Sequence, residues 1–201
     1  KAKQIVSRLK SGALPVPISL ISQQSVGPIL GKISLQESLK AGIIGLFAVI
    51  VFLIVFYRLP GFLAALALVV YSLLILALFK LIPVTFTLSG IAGLILSLGM
   101  AVDANILIFS RMKEELKSGI SFSSAIEEGF RRAWNAIRDG NLTALILAFI
   151  LFGFGTSFVK GFALTLIIGT LVSMFSAIIV TKNFLKVFER TKLEKFNWLW
   201  K

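Results

Sequence analysis

Five apolar runs dominate the chain between residues 41 and 181, and they limit what it can fold into. They are AGIIGLFAVIVFLIVFY (41–57), GFLAALALVVYSLLILALFKLI (61–82), and the stretches 84–109, 141–158 and 161–181. Crossing about 30 Å of hydrocarbon takes about 20 helical residues, and each run approaches or exceeds that length. Lipid offers no partner for backbone N–H and C=O groups, so a spanning segment must satisfy them itself. Continuous rather than alternating hydrophobicity selects helices over barrel strands. The expected fold is an all-α polytopic bundle of five transmembrane helices. RLPG (58–61), Pro83 and a turn at Lys160 and Gly161 should separate the spans.

Composition agrees with a membrane protein. Hydrophobic residues make up 57% of the chain and charged residues 15%, against about 45–50% and about 25% in soluble domains. Cys and His are both absent, which excludes disulfides and metal sites built on those ligands. The net charge of +12 could suit nucleic acid, but the basic residues cluster beside apolar spans and therefore set topology. No Gly-rich phosphate loop or metal-ligand cluster occurs, so no cofactor is expected.

Residues 1–40 form the one long polar stretch and should be the extracytoplasmic remnant and linker of a domain. Ile5, Val6 and Leu9 suit a short amphipathic helix, Pro15 and Pro17 enforce extended backbone, ISLISQQSV (18–26) suits a strand and VGPILG (26–31) a turn. KAKQIVSRLK at the start has neither Met nor a signal-peptide pattern, so the chain reads as the later portion of a longer protein. Ser34 and Glu37 have capping-box spacing for the first membrane helix. The transmembrane domain should occupy 41–189 and a cytoplasmic tail 190–201. Thirteen basic residues fall at Arg58, in 110–140 and in the tail; eight fall on the other side, six of them in the N-terminal segment. Loop 110–140 and the C-terminus should therefore be cytoplasmic. Within that loop Phe122, Ile126, Phe130, Ala133 and Ile137 recur at helical spacing. They predict an interfacial helix started by Ser124 and Glu127 and ended at Asp139 and Gly140, with Asn141 capping the next span.

Of nine acidic residues, Asp103 alone lies inside a span. An Asp at a helix centre costs about 2.5–3.5 kcal/mol on insertion scales, so it should face the bundle interior or a water-filled path. Desolvation favours the neutral acid and a nearby cation the charged one; a carboxylate between these pulls can carry a proton. A buried structural carboxylate is the plainer alternative. Gly93, Ser97 and Ala101 recur every four residues as a small-residue stripe, and Gly99 lies one turn before Asp103; Thr165, Gly169, Ser173 and Ala177 form another stripe. Such stripes let helices pack closely. Asn105 lies two residues beyond Asp103 and points elsewhere on a helix. An aspartyl-protease dyad needs two carboxylates, and the spans provide one.

The run GMAVDANILIFSRMKEEL (99–116) closely resembles the signature of the SecD family of protein-export membrane proteins. LKSGALPVP (9–17), YRLPG (57–61), AIEEGFRRAW (125–134), DGNLTALI (139–146) and FGFGTSFVKGFALTLIIGTLVSMFSAIIVT (152–181) agree in the same order. The resemblance implies one six-helix half of a resistance-nodulation-division-type transporter, without its first helix and nearly all of its extracytoplasmic domain. It implies a place in the prokaryotic plasma membrane and partnership with SecF, the SecYEG channel, YajC and a translocating preprotein. The proton-motive force would drive export, with Asp103 and Asn105 in the proton pathway. A small-molecule or lipid exporter of the same superfamily and a passive translocon scaffold are the alternatives.

Overall fold

The computed structural model describes Val6, residues 28–82 and 87–189, and Trp200. The expected strand at 18–26, nearly all of the first amphipathic helix and nearly all of the tail lie outside the described residues. The chain divides into two units, Lys1–Ile33 and Ser34–Lys201.

Five elements carry the described fold: α1 (Pro28–Leu81), α2 (Leu88–Lys117), α3 (Phe122–Phe154), α4 (Ser157–Phe175) and α5 (Thr181–Val187). A π-helical turn, Ser176–Val180, joins α4 to α5. No strand occurs among the described residues. Four helical stretches are long and apolar enough to cross a membrane: Gly31–Leu81, Leu88–Lys117, Phe122–Phe154 and Ser157–Val187.

Four stretches rather than five separate helices result because α1 contains two of the expected spans. Its one non-helical residue is Arg58, with φ 52° and ψ −120°, in the region an L side chain seldom adopts. The chain reverses there. Tyr57 reaches Ser110 at one end of α2 (hydroxyl oxygens 3.4 Å apart), and further along the second leg Tyr71 reaches Ser97 (2.8 Å). Pro60 falls in the first turn after the break, where its missing N–H costs no helical bond. Gly61 packs directly on the backbone of Leu53, so tightly that a Cβ would overlap the Leu53 carbonyl.

The other helix ends shift for identifiable reasons. Helix α1 begins at Pro28, so Ser34 and Glu37 lie inside it and cap nothing. The cap of α2 is Thr87, whose hydroxyl accepts from the Gly90 N–H at 3.1 Å, not a residue near 84. Residues 110–140 are no loop. Helix α2 continues to Lys117, Gly119 turns the chain at φ 92°, and Ser121, three residues before the expected Ser124, caps α3 by accepting from the Ser124 N–H. Helix α3 then runs unbroken through Asp139, Gly140 and Asn141. A mid-helix Gly costs about 1 kcal/mol, less than leaving backbone groups unsatisfied beside hydrocarbon. The turn expected at Lys160–Gly161 falls at Gly155 and Thr156, which precede α4.

Charged residues close the α2–α3 hairpin at its turn end. Arg132 of α3 pairs with Glu115 and Glu114 of α2, and Arg111 with Glu114. The main core lies among the second leg of α1, α2 and the first half of α3, around Tyr71, Leu68, Ile75, Ile108, Phe109 and Ile126, all almost fully enclosed.

Candidate functional site

Helix α2 carries both polar residues of the VDAN run, and helical geometry sends them to opposite sides. Residues 101 and 103 are about 200° apart around the axis, residues 101 and 105 about 40°. Ala101 is buried at 2% exposure, and Asn105 follows it inward at 3%. Asp103 is exposed. Of the two expected placings, the bundle interior or a water-filled path, the first does not hold within this chain: the inward face of α2 is taken by its small residues. Asp103 and Asn105 do not share a site within this chain.

On the inward side the two small-residue stripes meet. A Cβ on Gly93 would overlap the Thr165 hydroxyl and crowd the Phe162 carbonyl; one on Gly169 would overlap Ser97. The absence of side chains at these positions lets α2 and α4 touch nearly backbone to backbone. Polar atoms between them are satisfied. Tyr71 and Ser97 share a hydrogen bond, Ser97 donates to the Leu94 carbonyl at 2.8 Å, and Ser173 donates to the Thr170 carbonyl at 2.8 Å. Gly99 stands apart from this packing, with nothing within 4 Å of where its Cβ would be.

Asn105 sits at the π-helical turn. Its amide donates to the Ala101 carbonyl at 3.0 Å, and its carbonyl oxygen accepts from the Thr181 hydroxyl at 2.7 Å. Ser176, at the start of that turn, donates to the Ala67 carbonyl of α1 at 3.2 Å. A π turn widens the helix by one residue and leaves a backbone carbonyl loosely bonded. Here the Thr181 hydroxyl also approaches the Ser176 carbonyl at 3.4 Å. Thr181 and Tyr71 are not among the residues that sequence pattern alone points to. Tyr71 is one of two Tyr in the apolar runs, the other being Tyr57 at the end of one, and Thr181 carried no signal beyond ending one. Thr181→Val is expected to leave the Asn105 carbonyl unpaired and lower stability by about 1–3 kcal/mol, whereas Thr181→Ser keeps the bond. Thermal unfolding of the two variants in detergent checks this; equal melting temperatures would refute it.

Asp103 opens onto a different surface. With Met100, Ala104 and Leu107 of α2, and Ala136, Gly140 and Asn141 of α3, it lines a groove of about 240 Å³. Among the described residues it has no hydrogen-bond or ion-pair partner. Gly99, one turn away, and Gly140 across the groove are both exposed, with open space where a Cβ would lie. Beyond them α3 turns Leu142, Ile146, Leu147 and Ile150 outward, each more than half exposed. An ionisable group thus sits in a shallow, small-residue depression on an otherwise oily face.

Long apolar helices with satisfied polar contacts between them define a multi-pass helical membrane protein. The family model described as "Protein export membrane protein SecD/SecF, C-terminal" matches residues 8–191, and the chain belongs to that family. It is 50% identical over its whole length to the protein translocase subunit SecD of Thermobaculum terrenum, and 52% identical over 97% of its length to that of Dehalococcoides mccartyi. It spans 40% and 44% of those relatives. Among solved structures it is similar to SecDF, a translocon-associated membrane protein from Thermus thermophilus. The TM-score is 0.83 and the identity 39%, over 93% of this chain and 26% of that one. A second SecDF structure, in a super-membrane-facing form, gives a TM-score of 0.76 at 40% identity, over 90% of this chain and 25% of that one.

Proposed function

We propose that this chain is the membrane half of a SecD-type subunit that uses the proton-motive force to promote preprotein movement through SecYEG. It works with SecF as the second half and YajC as an accessory, in the plasma membrane of a prokaryote, with the α2–α3 turn on the cytoplasmic side. The observation that carries the reading is Asp103, exposed on this chain's own surface and flanked by Gly99 and Gly140. Left against lipid, the carboxylate would cost about 2.5–3.5 kcal/mol, so that face needs a polar or charged partner. Gly99 and Gly140 offer a close seat for another helix. A carboxylate enclosed between two halves can be reached by water from one side at a time. Each charge carried across the membrane releases about 2.3 kcal/mol per 100 mV. No cofactor is needed for that work; the gradient supplies the energy.

The groove makes the pairing testable apart from folding. A Cβ at position 99 or 140 meets nothing within 4 Å, and Leu is a better helix former than Gly, so Gly99→Leu and Gly140→Leu should accumulate and melt as the unmodified protein does. They are expected to lower co-purification of the SecF half at least tenfold and to reduce preprotein export in parallel. If both bulky variants assembled with SecF at unmodified yield, this face would not be the seat of the second half.

A further inference from the structure

On the other side of α3 lies a second cavity that the export reading does not use. Positions 134 and 136 are about 200° apart around the helix, so Trp134 faces away from the Asp103 groove that Ala136 lines. The cavity measures about 540 Å³ and sits between α3, α2 and the junction of α4 with α5. That volume is within the usual range for small-molecule sites, about 300–1,000 Å³.

Its walls change character along the membrane normal. Ile137 and Ile178 line the end nearer the apolar spans, while Arg131 and Lys182 line the end nearer the charged hairpin turn. Trp134, 38% exposed, stands between the two. An indole at such a boundary is typical of a membrane interface, with its apolar body toward the chains and its N–H toward headgroups. The cavity's acids are already matched. Glu128 pairs with Arg131, and Glu127 is 3.6 Å from Lys186. Lys182 differs: its ammonium lies 5.5 Å from the centroid of the Phe130 ring and has no carboxylate partner among the described residues. With Glu127 matched by Lys186, Lys182 is left as the unmatched cation at the cavity mouth among the described residues. Arg131 adds no net charge, being matched by Glu128, but its side chain is 76% exposed and its remaining N–H donors can turn toward an anion.

We propose that this cavity binds the headgroup of an anionic phospholipid, with the phosphate at Lys182 and Arg131 and the first acyl carbons along Trp134, Ile137 and Ile178. An amphiphile suits it better than a soluble anion because the cationic end is continuous with an apolar wall of Trp134, Ile137 and Ile178. Basic side chains at the cytoplasmic ends of membrane helices attract anionic headgroups by about 1 kcal/mol each. Bound there, the lipid would tie α3 to the segment after the π turn, a link separate from the Asp103 face.

The test is native mass spectrometry of the full chain purified in mild detergent with equal phosphatidylglycerol and phosphatidylethanolamine. Phosphatidylglycerol is expected to be retained in preference. Lys182→Gln should lower its retention about fivefold, Lys182→Arg should keep it, and Lys160→Gln, at the opposite end of α4, should not alter it. Glycerophosphate without acyl chains should not displace the lipid. Phosphatidylglycerol with brominated chains should quench the emission lost in Trp134→Phe, a readout on the unmodified residue 182 that survives any folding defect of the Lys182 variants. Equal retention of both lipids, equal loss in Lys182→Gln and Lys160→Gln, displacement by glycerophosphate, or no quenching would each overturn the proposal.

Discussion

Asp103→Asn is expected to abolish gradient-dependent preprotein export while leaving the protein folded. The substitution keeps the size and shape of the side chain and removes its ability to take and release a proton. Asp103 has no intramolecular partner among the described residues, so stability should change by less than about 0.5 kcal/mol. That combination separates a proton carrier from a structural carboxylate, whose loss would show in melting temperature. Export measured with and without dissipation of the proton gradient is the readout. In the variant the two should coincide at the level of the unmodified protein without a gradient. Asp103→Glu should retain part of the dependence. Gradient-dependent export in Asp103→Asn at the unmodified rate would remove the motor reading and leave a scaffold.

Gly61→Ala should be the most damaging small substitution in the described chain. The added methyl would overlap the Leu53 carbonyl, which is backbone and cannot rotate away as a side chain can. Overpacking of this kind costs about 1–3 kcal/mol, occasionally more. Here it acts where Arg58 already holds an unfavourable backbone conformation. The two legs of α1 would be forced apart at their reversal, loosening Leu53 and Leu63 from the core. Thermal unfolding and protease cleavage near residue 58 should both shift toward the less stable state. Gly45→Ala on the first leg, with open space around it, is the matched control and should be neutral. Equal melting of the two variants would show that the α1 reversal tolerates a wider separation.

The spans were legible because lipid permits so little. A continuous apolar run that must satisfy its own backbone becomes a helix, whatever surrounds it. The same rule explains where the reading went astray. Asp139-Gly140 and Ser34 through Glu37 are stop and start signals in water, where a freed backbone group finds a solvent partner. In this protein α3 runs through one and α1 through the other. The stripes at Gly93, Ser97, Thr165 and Gly169 were visible as spacings, and the structure brings them face to face. Gly99, two residues off that spacing, lies on the opposite face of α2 with Asp103.

What the amino-acid order determined by itself was the class of fold and the placing of one acid within an apolar run, because each follows from local chemistry in a uniform solvent. Which way that acid faces was decided by tertiary packing alone. Helix α2 could have turned either polar residue of its VDAN run inward. Small residues on α4, together with the hydroxyls of Tyr71 and Thr181, complement one side of it and leave Asp103 on the other. Rotation of a helix about its own axis has no local cost; the preferred angle is a property of what packs around it.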